Sequence, residues 1–243
     1  MVSADMKVLF IFAHPDDETV ACAGTIQQLV EAGHQINLLS VTDGGAGEFP
    51  DHLRKAVEKA GGIGSYRQQE LKQVCAVLNV SRHKVLKYQD GQINNLMTWG
   101  SLVNDLVKEI DRTKPDLIIT FDHTGWYYHL DHVGVSIAAT LAFHQAKHPT
   151  PLLMLSHFRP IKIPSKRWPY AFSPAMPATH VVKVRDVGHK LRALDCHKSQ
   201  NLKIVCDYVL EGEPHQEFYE LAFSRGDGKK MLKMLKLFTP FTA

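Results

Sequence analysis

Residues 7–18 read Lys-Val-Leu-Phe-Ile-Phe-Ala-His-Pro-Asp-Asp-Glu, an apolar run followed at once by one imidazole and three carboxylates. The apolar half predicts a buried parallel strand over Lys7–Phe12. The polar half, from His14 to Glu18, can stay at the end of such a strand only if it faces a cleft. Because its charges repel one another, a divalent cation that binds carboxylate oxygen and imidazole nitrogen is the simplest compensation.

A second polar cluster, His129-Leu-Asp-His132, follows another strand-like run, Asp116–Phe121. Each cluster alone has an ordinary explanation: the first as a turn with acids that cap a helix, the second as a solvated helical turn. Their matching positions behind two strands instead favour one metal site at the carboxyl edge of a parallel sheet.

The chain alternates strand and helix patterns, and we see no internal repeat or domain linker. Strands are predicted at Lys7–Phe12, Gln35–Thr42, Lys84–Tyr88, Asp116–Phe121, Pro151–His157 and His180–Val184. Helices are predicted at Thr19–Ala32, Tyr66–Leu78, Leu102–Asp111, His132–Lys147 and Val187–Ser199. The alternation predicts an α/β fold: a Rossmann-like, doubly wound, mostly parallel sheet with helices on both faces.

We expect residues 1–243 to form a single domain, with a motif-bearing core at about 7–200 and a C-terminal extension at about 201–243. The polar stretch before Ser65 is either a short helix or a functional loop. Residues 159–177 carry five prolines and are expected to form an extended surface loop.

Near the C-terminus, Lys229–Phe238 interleaves apolar residues with lysines, which predicts a helix with one apolar and one cationic face. Such a helix can pack on the body of the protein, dock on a partner subunit in a homo-oligomer, or touch an anionic membrane. A single short helix binds membrane weakly, so packing or a subunit interface is preferred.

The composition of the chain excludes several classes of protein. A chain of 243 residues that is 44% hydrophobic can bury a full core, and its net charge of +3 is mild. Arginines and lysines form no stripe with aromatics in the first two hundred residues, so no nucleic-acid partner is expected. Four cysteines without a CxxC pair fit a reducing cytoplasm. No apolar run reaches the ~18 residues that span a bilayer, so we expect a cytoplasmic protein without stable membrane insertion.

The two polar clusters together resemble the signature of the PIG-L/LmbE family of zinc-dependent N-acetylglucosaminyl de-N-acetylases. Three weaker similarities agree: Thr42-Asp-Gly-Gly after the second strand, Arg67-Gln-Gln-Glu70 at a helix, and His197-Lys-Ser-Gln200 after a late helix. The resemblance covers about residues 7–200, and the chain departs from the common form of the family after that.

The resemblance implies one Zn²⁺ per chain, bound by His14, Asp17 and His132. Two imidazoles and a carboxylate leave a position open for water, as catalytic zinc sites do, although iron or cobalt also suits such mixed ligands. The resemblance makes Asp16 the general base for the attacking water. Residue type alone cannot separate the two adjacent aspartates, and a helix cap is the competing role for Asp16.

Four further residues take their expected roles from the resemblance. His129 stabilises the oxyanion as a protonated imidazole or acts as general acid, and Asp131 orients it and holds its charge. Tyr127 offers its phenol to the oxyanion, unless Tyr128 does so or both merely line the cleft. Arg67 reads sugar hydroxyls or a phosphate, unless it pairs with Glu70 one helical turn away.

Two further residues are substrate-binding candidates from their positions. Asp90 bonds a sugar hydroxyl or forms a turn. Trp126 stacks on a sugar ring or packs its loop. Glu18 is expected to complement the start of the following helix.

The expected function is removal of an N-acetyl group from an N-acetylglucosamine-type sugar or glycoside by metal-activated water. The alternatives are a non-catalytic metal-binding or sugar-binding protein on the same scaffold and a zinc amidohydrolase for a non-sugar N-acyl substrate. A nucleotide-binding Rossmann protein is disfavoured, because His14-Pro-Asp-Asp stands where a glycine-rich turn belongs.

Overall fold

The computed structural model describes residues 5–157, 178–211 and 215–241. In this part of the chain, the strands are β1 (Lys7–Phe12), β2 (Gln35–Thr42), β3 (Arg82–Tyr88), β4 (Leu117–Phe121), β5 (Leu152–His157), β6 (His180–Lys183), β7 (Gln216–Ser224) and β8 (Thr239–Pro240). The helices are α1 (Asp17–Glu31), α2 (Arg54–Ala60), α3 (Ile63–Val77), α4 (Leu96–Thr113), α5 (Gly125–Tyr128), α6 (Leu130–Gln145), α7 (Val187–Asp195), α8 (Lys203–Glu211) and α9 (Gly228–Met234).

All eight strands form one sheet in the order β3-β2-β1-β4-β5-β7-β6-β8. The strands β3, β2, β1, β4 and β5 are parallel, whereas β7, β6 and β8 pair antiparallel with their neighbours. The chain runs outward from β1 to β3 and then returns to place β4 on the other side of β1. Ligands bind at such a reversal of strand order in open α/β sheets, beyond the carboxyl ends of the strands.

The central strands are buried almost completely, as expected for parallel strands covered on both faces. Helices α1 and α3 both contact α7, whereas α4 contacts α6, so the helices form two separate packing groups. The predicted α/β class with a mostly parallel sheet is therefore confirmed. No helix in the described ranges is long and apolar enough to cross a membrane.

Several predicted boundaries were wrong for local reasons. Helix α4 begins six residues earlier than predicted, because the Asn95 side chain accepts a hydrogen bond from Met97 N–H at 2.9 Å and caps it there. Helix α7 ends at Asp195 instead of Ser199. The polar stretch before Ser65 is mostly helical, with α2 and the start of α3. The loop predicted at 159–177 lies outside the described residues.

Residues after 200 contribute to the sheet itself. Strand β7, which the sequence analysis did not predict, lies between β5 and β6. The C-terminal helix ends at Met234 and not at Phe238. Leu232 in this helix and Phe238 after it are both buried, and the Phe238 ring meets Tyr219 edge-on at 5.2 Å, so the segment packs on the body as preferred. The single-domain boundary of 1–243 remains a prediction.

Candidate metal centre and active site

The turn after β1 positions the first polar cluster. Asp16 has a φ of 137°, a conformation that L-residues rarely adopt, and α1 begins at the next residue. The carbonyl oxygen of Asp16 accepts the N–H groups of Thr19 and Val20, both at 3.0 Å. The backbone N–H of His14 donates to Asp17 Oδ2 at 2.8 Å. This sharp turn brings the side chains of His14 and Asp17 to the same point.

Three side chains form a triangle at the reversal of strand order, in which Asp17 turns a different carboxylate oxygen to each histidine. His14 Nδ1 lies 3.2 Å from His132 Nε2 and 3.5 Å from Asp17 Oδ2, and His132 Nε2 lies 3.3 Å from Asp17 Oδ1. His132 comes from the first turn of α6, after β4. All three residues are less than 10% exposed. These are the three residues expected from the family resemblance to bind the metal, and their role as ligands stays a prediction.

These atoms fit a metal ion. Bonds of 2.0–2.2 Å in tetrahedral geometry place ligand atoms about 3.3 Å apart, which matches the triangle. Two imidazole nitrogens face each other here, with a carboxylate beside them. A divalent cation can bind both nitrogen lone pairs and the carboxylate, whereas one shared proton can bind only between two of these atoms. The other ring nitrogen of His132, Nδ1, is buried without a hydrogen-bond partner among the described residues.

The other nitrogen of His14 faces two carboxylates. His14 Nε2 lies 3.0 Å from Asp90 Oδ1 and 3.4 Å from Asp131 Oδ2. The Asp131 oxygens also accept the backbone N–H groups of Gly91, at 2.7 Å, and Ile93, at 3.0 Å. Carboxylates on the far nitrogen fix the tautomer of a metal-binding histidine. Burial opposes it, but Asp131, Asp17 and Asp90 together hold the pKa of metal-free His14 well above its usual value.

The carboxylate of Asp131 hydrogen-bonds to His14 and to two backbone amides, whereas its effect on His129 is through charge, which raises the pKa of that imidazole. His129 Nδ1 is buried without a partner among the described residues. Burial, with the nearby imidazoles of His132 and His14, lowers the pKa of His129 to about 4. A lowered pKa favours the neutral form of His129 in the metal-free protein.

Asp16 lies beside the triangle and not in it. It occupies the N-cap position of α1, yet its side chain makes no capping hydrogen bond to described residues. The helix-cap alternative therefore does not describe its side chain. Burial, followed by the charge of Asp17, raises the pKa of Asp16 to about 7, against the opposing effect of His197 and Arg67. A carboxylate with a raised pKa next to a metal site suits a general base.

Of the two tyrosines, the structure brings only Tyr127 to the cavity. Tyr127 borders the cavity, and its ring centroid lies 5.6 Å from that of His132. Burial, with Asp17 and Asp16 nearby, raises the pKa of Tyr127, so its phenol stays protonated. Tyr128 is 50% exposed and does not border the cavity. The backbone of α5 is irregular, with a φ of 66° at Trp126, and this irregularity determines which of the two tyrosines faces the cavity.

Arg67 is buried and borders the cavity. Its side chain does not pair with Glu70. Its guanidinium donates to Gly44 O at 2.8 Å and to the Gln200 side chain. Its Nε is buried without a partner in the described ranges. Glu70 instead accepts the backbone N–H of Ser199 at 2.7 Å and its hydroxyl at 2.6 Å. Two of the weaker family similarities, those at 67–70 and 197–200, therefore contact each other.

Trp126 and Asp90 border the cavity, but their polar groups already have partners. Trp126 is 5% exposed, and its indole N–H donates to Ser156 O at 3.0 Å. Its ring packs against that of His132, so the structure favours packing over the expected sugar platform. Asp90 bonds His14 and also accepts Ala46 N–H at 2.9 Å. Its expected bond to a sugar hydroxyl competes with both contacts.

The site opens into a cavity of about 450 Å³, within the usual range for small-molecule sites. Polar groups line its floor, and the start of α8 adds an apolar side formed by Leu202, Ile204 and Val205. These three residues and Gln200 were not predicted from the sequence to border the site. The position of His197–Gln200 in the family resemblance was the available signal for Gln200.

Fold and site together define an α/β protein with a cluster of His and Asp side chains at the carboxyl edge of its sheet that could hold a metal ion. A family model described as PIG-L, GlcNAc-PI de-N-acetylase, matches residues 9–143. The match spans more than half of the chain, and the protein belongs to the PIG-L family.

Among curated relatives, the 1D-myo-inositol 2-acetamido-2-deoxy-alpha-D-glucopyranoside deacetylase of Thermobifida fusca (strain YX) is 32% identical over 163 residues. The aligned region covers 60% of this chain and 57% of that relative, so the chain spans little more than half of its length.

Two solved structures share the fold across most of the chain. N,N'-diacetylchitobiose deacetylase from Pyrococcus horikoshii has a TM-score of 0.61 at 20% identity, covering 90% of this chain and 84% of its own. The 4-carboxy-2-hydroxymuconate hydratase GalB from Pseudomonas putida KT2440 has a TM-score of 0.68 at 15% identity, covering 91% and 98%. One of these proteins is a deacetylase and the other a hydratase, so the fold alone does not decide the reaction.

Proposed function

We propose that the protein is a zinc-dependent hydrolase that removes an N-acetyl group from an N-acetylglucosamine-type sugar or glycoside, with one Zn²⁺ per chain. The observation that carries the proposal is the triangle of His14, Asp17 and His132 with Asp16 beside it. Zinc at such a site polarises a carbonyl and lowers the pKa of water. The family and the curated deacetylase relatives support the same reaction.

The side chains divide the remaining work. Asp16 takes the proton of the attacking water and holds it close to the leaving nitrogen, which must be protonated to depart. Tyr127 and neutral His129 donate hydrogen bonds to the oxygen of the amide carbonyl as negative charge develops on it. Asp131 and Asp90 fix the ring of His14, so its Nδ1 lone pair points at the metal position.

The cavity suits a neutral or singly charged N-acetylated sugar. Among the described residues that border it, Arg67 is the one arginine, and its guanidinium is already bonded to Gly44 O and Gln200. A wall of aromatic and aliphatic side chains does not favour a heavily phosphorylated substrate.

Acetate release from a panel of N-acetylated compounds tests the proposal. The zinc-loaded protein should release acetate from at least one N-acetylglucosaminide, and a chelator should abolish the activity until zinc is restored. Matched reactions with Asp16→Asn should release acetate roughly 10²- to 10⁴-fold more slowly. Release from N-acetyl amino acids alone would replace the substrate class while keeping the amidohydrolase chemistry. Tight sugar binding without any release would indicate the non-catalytic alternative.

A cytoplasmic location, the absence of a nucleic-acid partner and a possible homo-oligomer remain predictions from composition.

A further inference from the structure

The backbone of Asp16 is held in an unfavourable conformation. Its φ of 137° and ψ of −28° lie outside the regions that L-residues populate readily, and such positions cost free energy unless the surroundings enforce them. The first turn of α1 holds the carbonyl side, through Thr19 and Val20. A separate contact must hold the N–H side, since rotation about φ moves the carboxylate of Asp16 relative to the metal ligands.

Glu18 makes that contact. Its Oε2 accepts the backbone N–H of Asp16 at 3.2 Å, and its other oxygen, Oε1, accepts His197 Nε2–H at 3.2 Å. Glu18 lies in the first turn of α1, as expected for an acid that complements the helix start, and it is fully buried. Burial of a charge requires a partner. Glu18 is buried with two partners, and one of them is the backbone of Asp16.

His197 is itself fixed from the opposite side. It is 2% exposed and lies in the turn after α7, where Gln200 N–H donates to its carbonyl at 3.0 Å. Both the backbone and the hydroxyl of Ser199 in the same turn are bound by Glu70 of α3. The position of His197 therefore depends on α3 and α7, and Glu18 transmits it to the turn that carries Asp16.

We propose that Glu18 and His197 form a positioning pair that holds the strained Asp16 backbone and so aims its carboxylate at the attacking water. The kinetic part rests on the proposed deacetylase function, whereas the structural part does not. Glu18→Gln retains an oxygen that can accept Asp16 N–H, and Glu18→Ala removes it. Glu109→Ala is the matched control. Glu109 is also buried, but its partners are Lys84 and Arg112, which lie outside the contacts around Asp16.

Amide hydrogen exchange followed by NMR tests the structural part without any activity. In Glu18→Ala the Asp16 amide should exchange roughly tenfold faster or more, since it loses a hydrogen bond to a charged acceptor. Glu18→Gln and Glu109→Ala should leave this amide protected. An unchanged Asp16 amide in folded Glu18→Ala would overturn the proposal. If that variant does not fold, His197→Gln provides the same comparison, with a weaker hold on Glu18.

Kinetics test the second part. Glu18→Ala should lower kcat roughly 10- to 100-fold with little change in KM or zinc content, and Glu18→Gln should recover most of the loss. In an Asp16→Asn background, Glu18→Ala should add almost nothing, because the pair acts through the residue already removed. A full additional loss in that background would overturn the positioning role. Absence of turnover in the wild type would refute the proposed function and leave the exchange result to decide the pair.

Discussion

Two buried polar clusters in this molecule have similar burial but opposite hydrogen-bonding status. At the metal centre, His14, Asp17 and His132 face one another, and His132 Nδ1 has no partner in the described part of the chain. Around Glu217, every charge is matched: Lys190 Nζ lies 2.6 Å from Oε1, and Thr25 donates its N–H and hydroxyl to Oε2 at 2.8 and 2.6 Å.

The difference separates a binding site from a structural contact. The Glu217 network ties β7 to α1 and α7, and the protein itself supplies all its partners. The metal centre brings His14 Nδ1 and His132 Nε2 to 3.2 Å from each other, with a carboxylate oxygen of Asp17 3.3 Å from His132 Nε2. One shared proton leaves this cluster less well satisfied than a cation that accepts both nitrogen lone pairs. Burial of polar groups therefore does not indicate function by itself, whereas the convergence of ligand-type atoms from several elements does.

The largest expected effect breaks the chemistry at the metal centre and separates its two aspartates. Asp16→Asn should retain zinc but lose roughly 10²- to 10⁴-fold in kcat, the usual contribution of a general base. Asp17→Asn should instead weaken zinc binding, because it removes a charged ligand. Steady-state kinetics with metal analysis of both proteins checks this. The opposite pattern would show that base and ligand have been exchanged.

The next largest effect is expected from a substitution that disrupts the Glu217 network. Lys190→Met leaves the buried carboxylate of Glu217 without its cation and should lower the free energy of unfolding by about 3–5 kcal/mol, as measured by urea denaturation of the metal-free protein. Lys203→Met is the control, since its pair with Asp207 is exposed and its loss should not be measurable. Equal stability of the two variants would contradict a structural role for the network.

The smallest effect on kcat is expected from a substitution that tests which tyrosine donates to the oxyanion. Tyr127→Phe removes one phenol from the cavity and should lower kcat by roughly 10²- to 10³-fold if that phenol donates to the oxyanion. Tyr128→Phe makes the same chemical change one residue away, at an exposed side chain, and should have no effect. Matched kinetics of the pair decide the assignment. Equal losses, or none, would remove Tyr127 from the mechanism.

The sequence predicted the central sheet because its strands are buried on both faces and read as apolar runs. It did not predict β7, since buried Glu217 interrupts the apolar pattern and its partner Lys190 is distant in sequence. At the site, the adjacent motif residues were predictable as a group. The contact of Asp131 with His14 and not with His129, and that of Glu18 with His197, depend on how distant turns meet, which local pattern does not encode.

The central claim is that His14, Asp17 and His132 hold the metal while His129 faces it without binding. His129 supplies a nitrogen within 4.8 Å of the His14 and His132 ligand atoms, so distance alone does not exclude it. Zinc content after equilibrium dialysis decides between them. We expect about one ion per chain in the wild type and in His129→Ala, and a loss of stoichiometric zinc in His14→Ala and His132→Ala. Full zinc retention by both of the latter variants, or its loss in His129→Ala alone, would contradict the account.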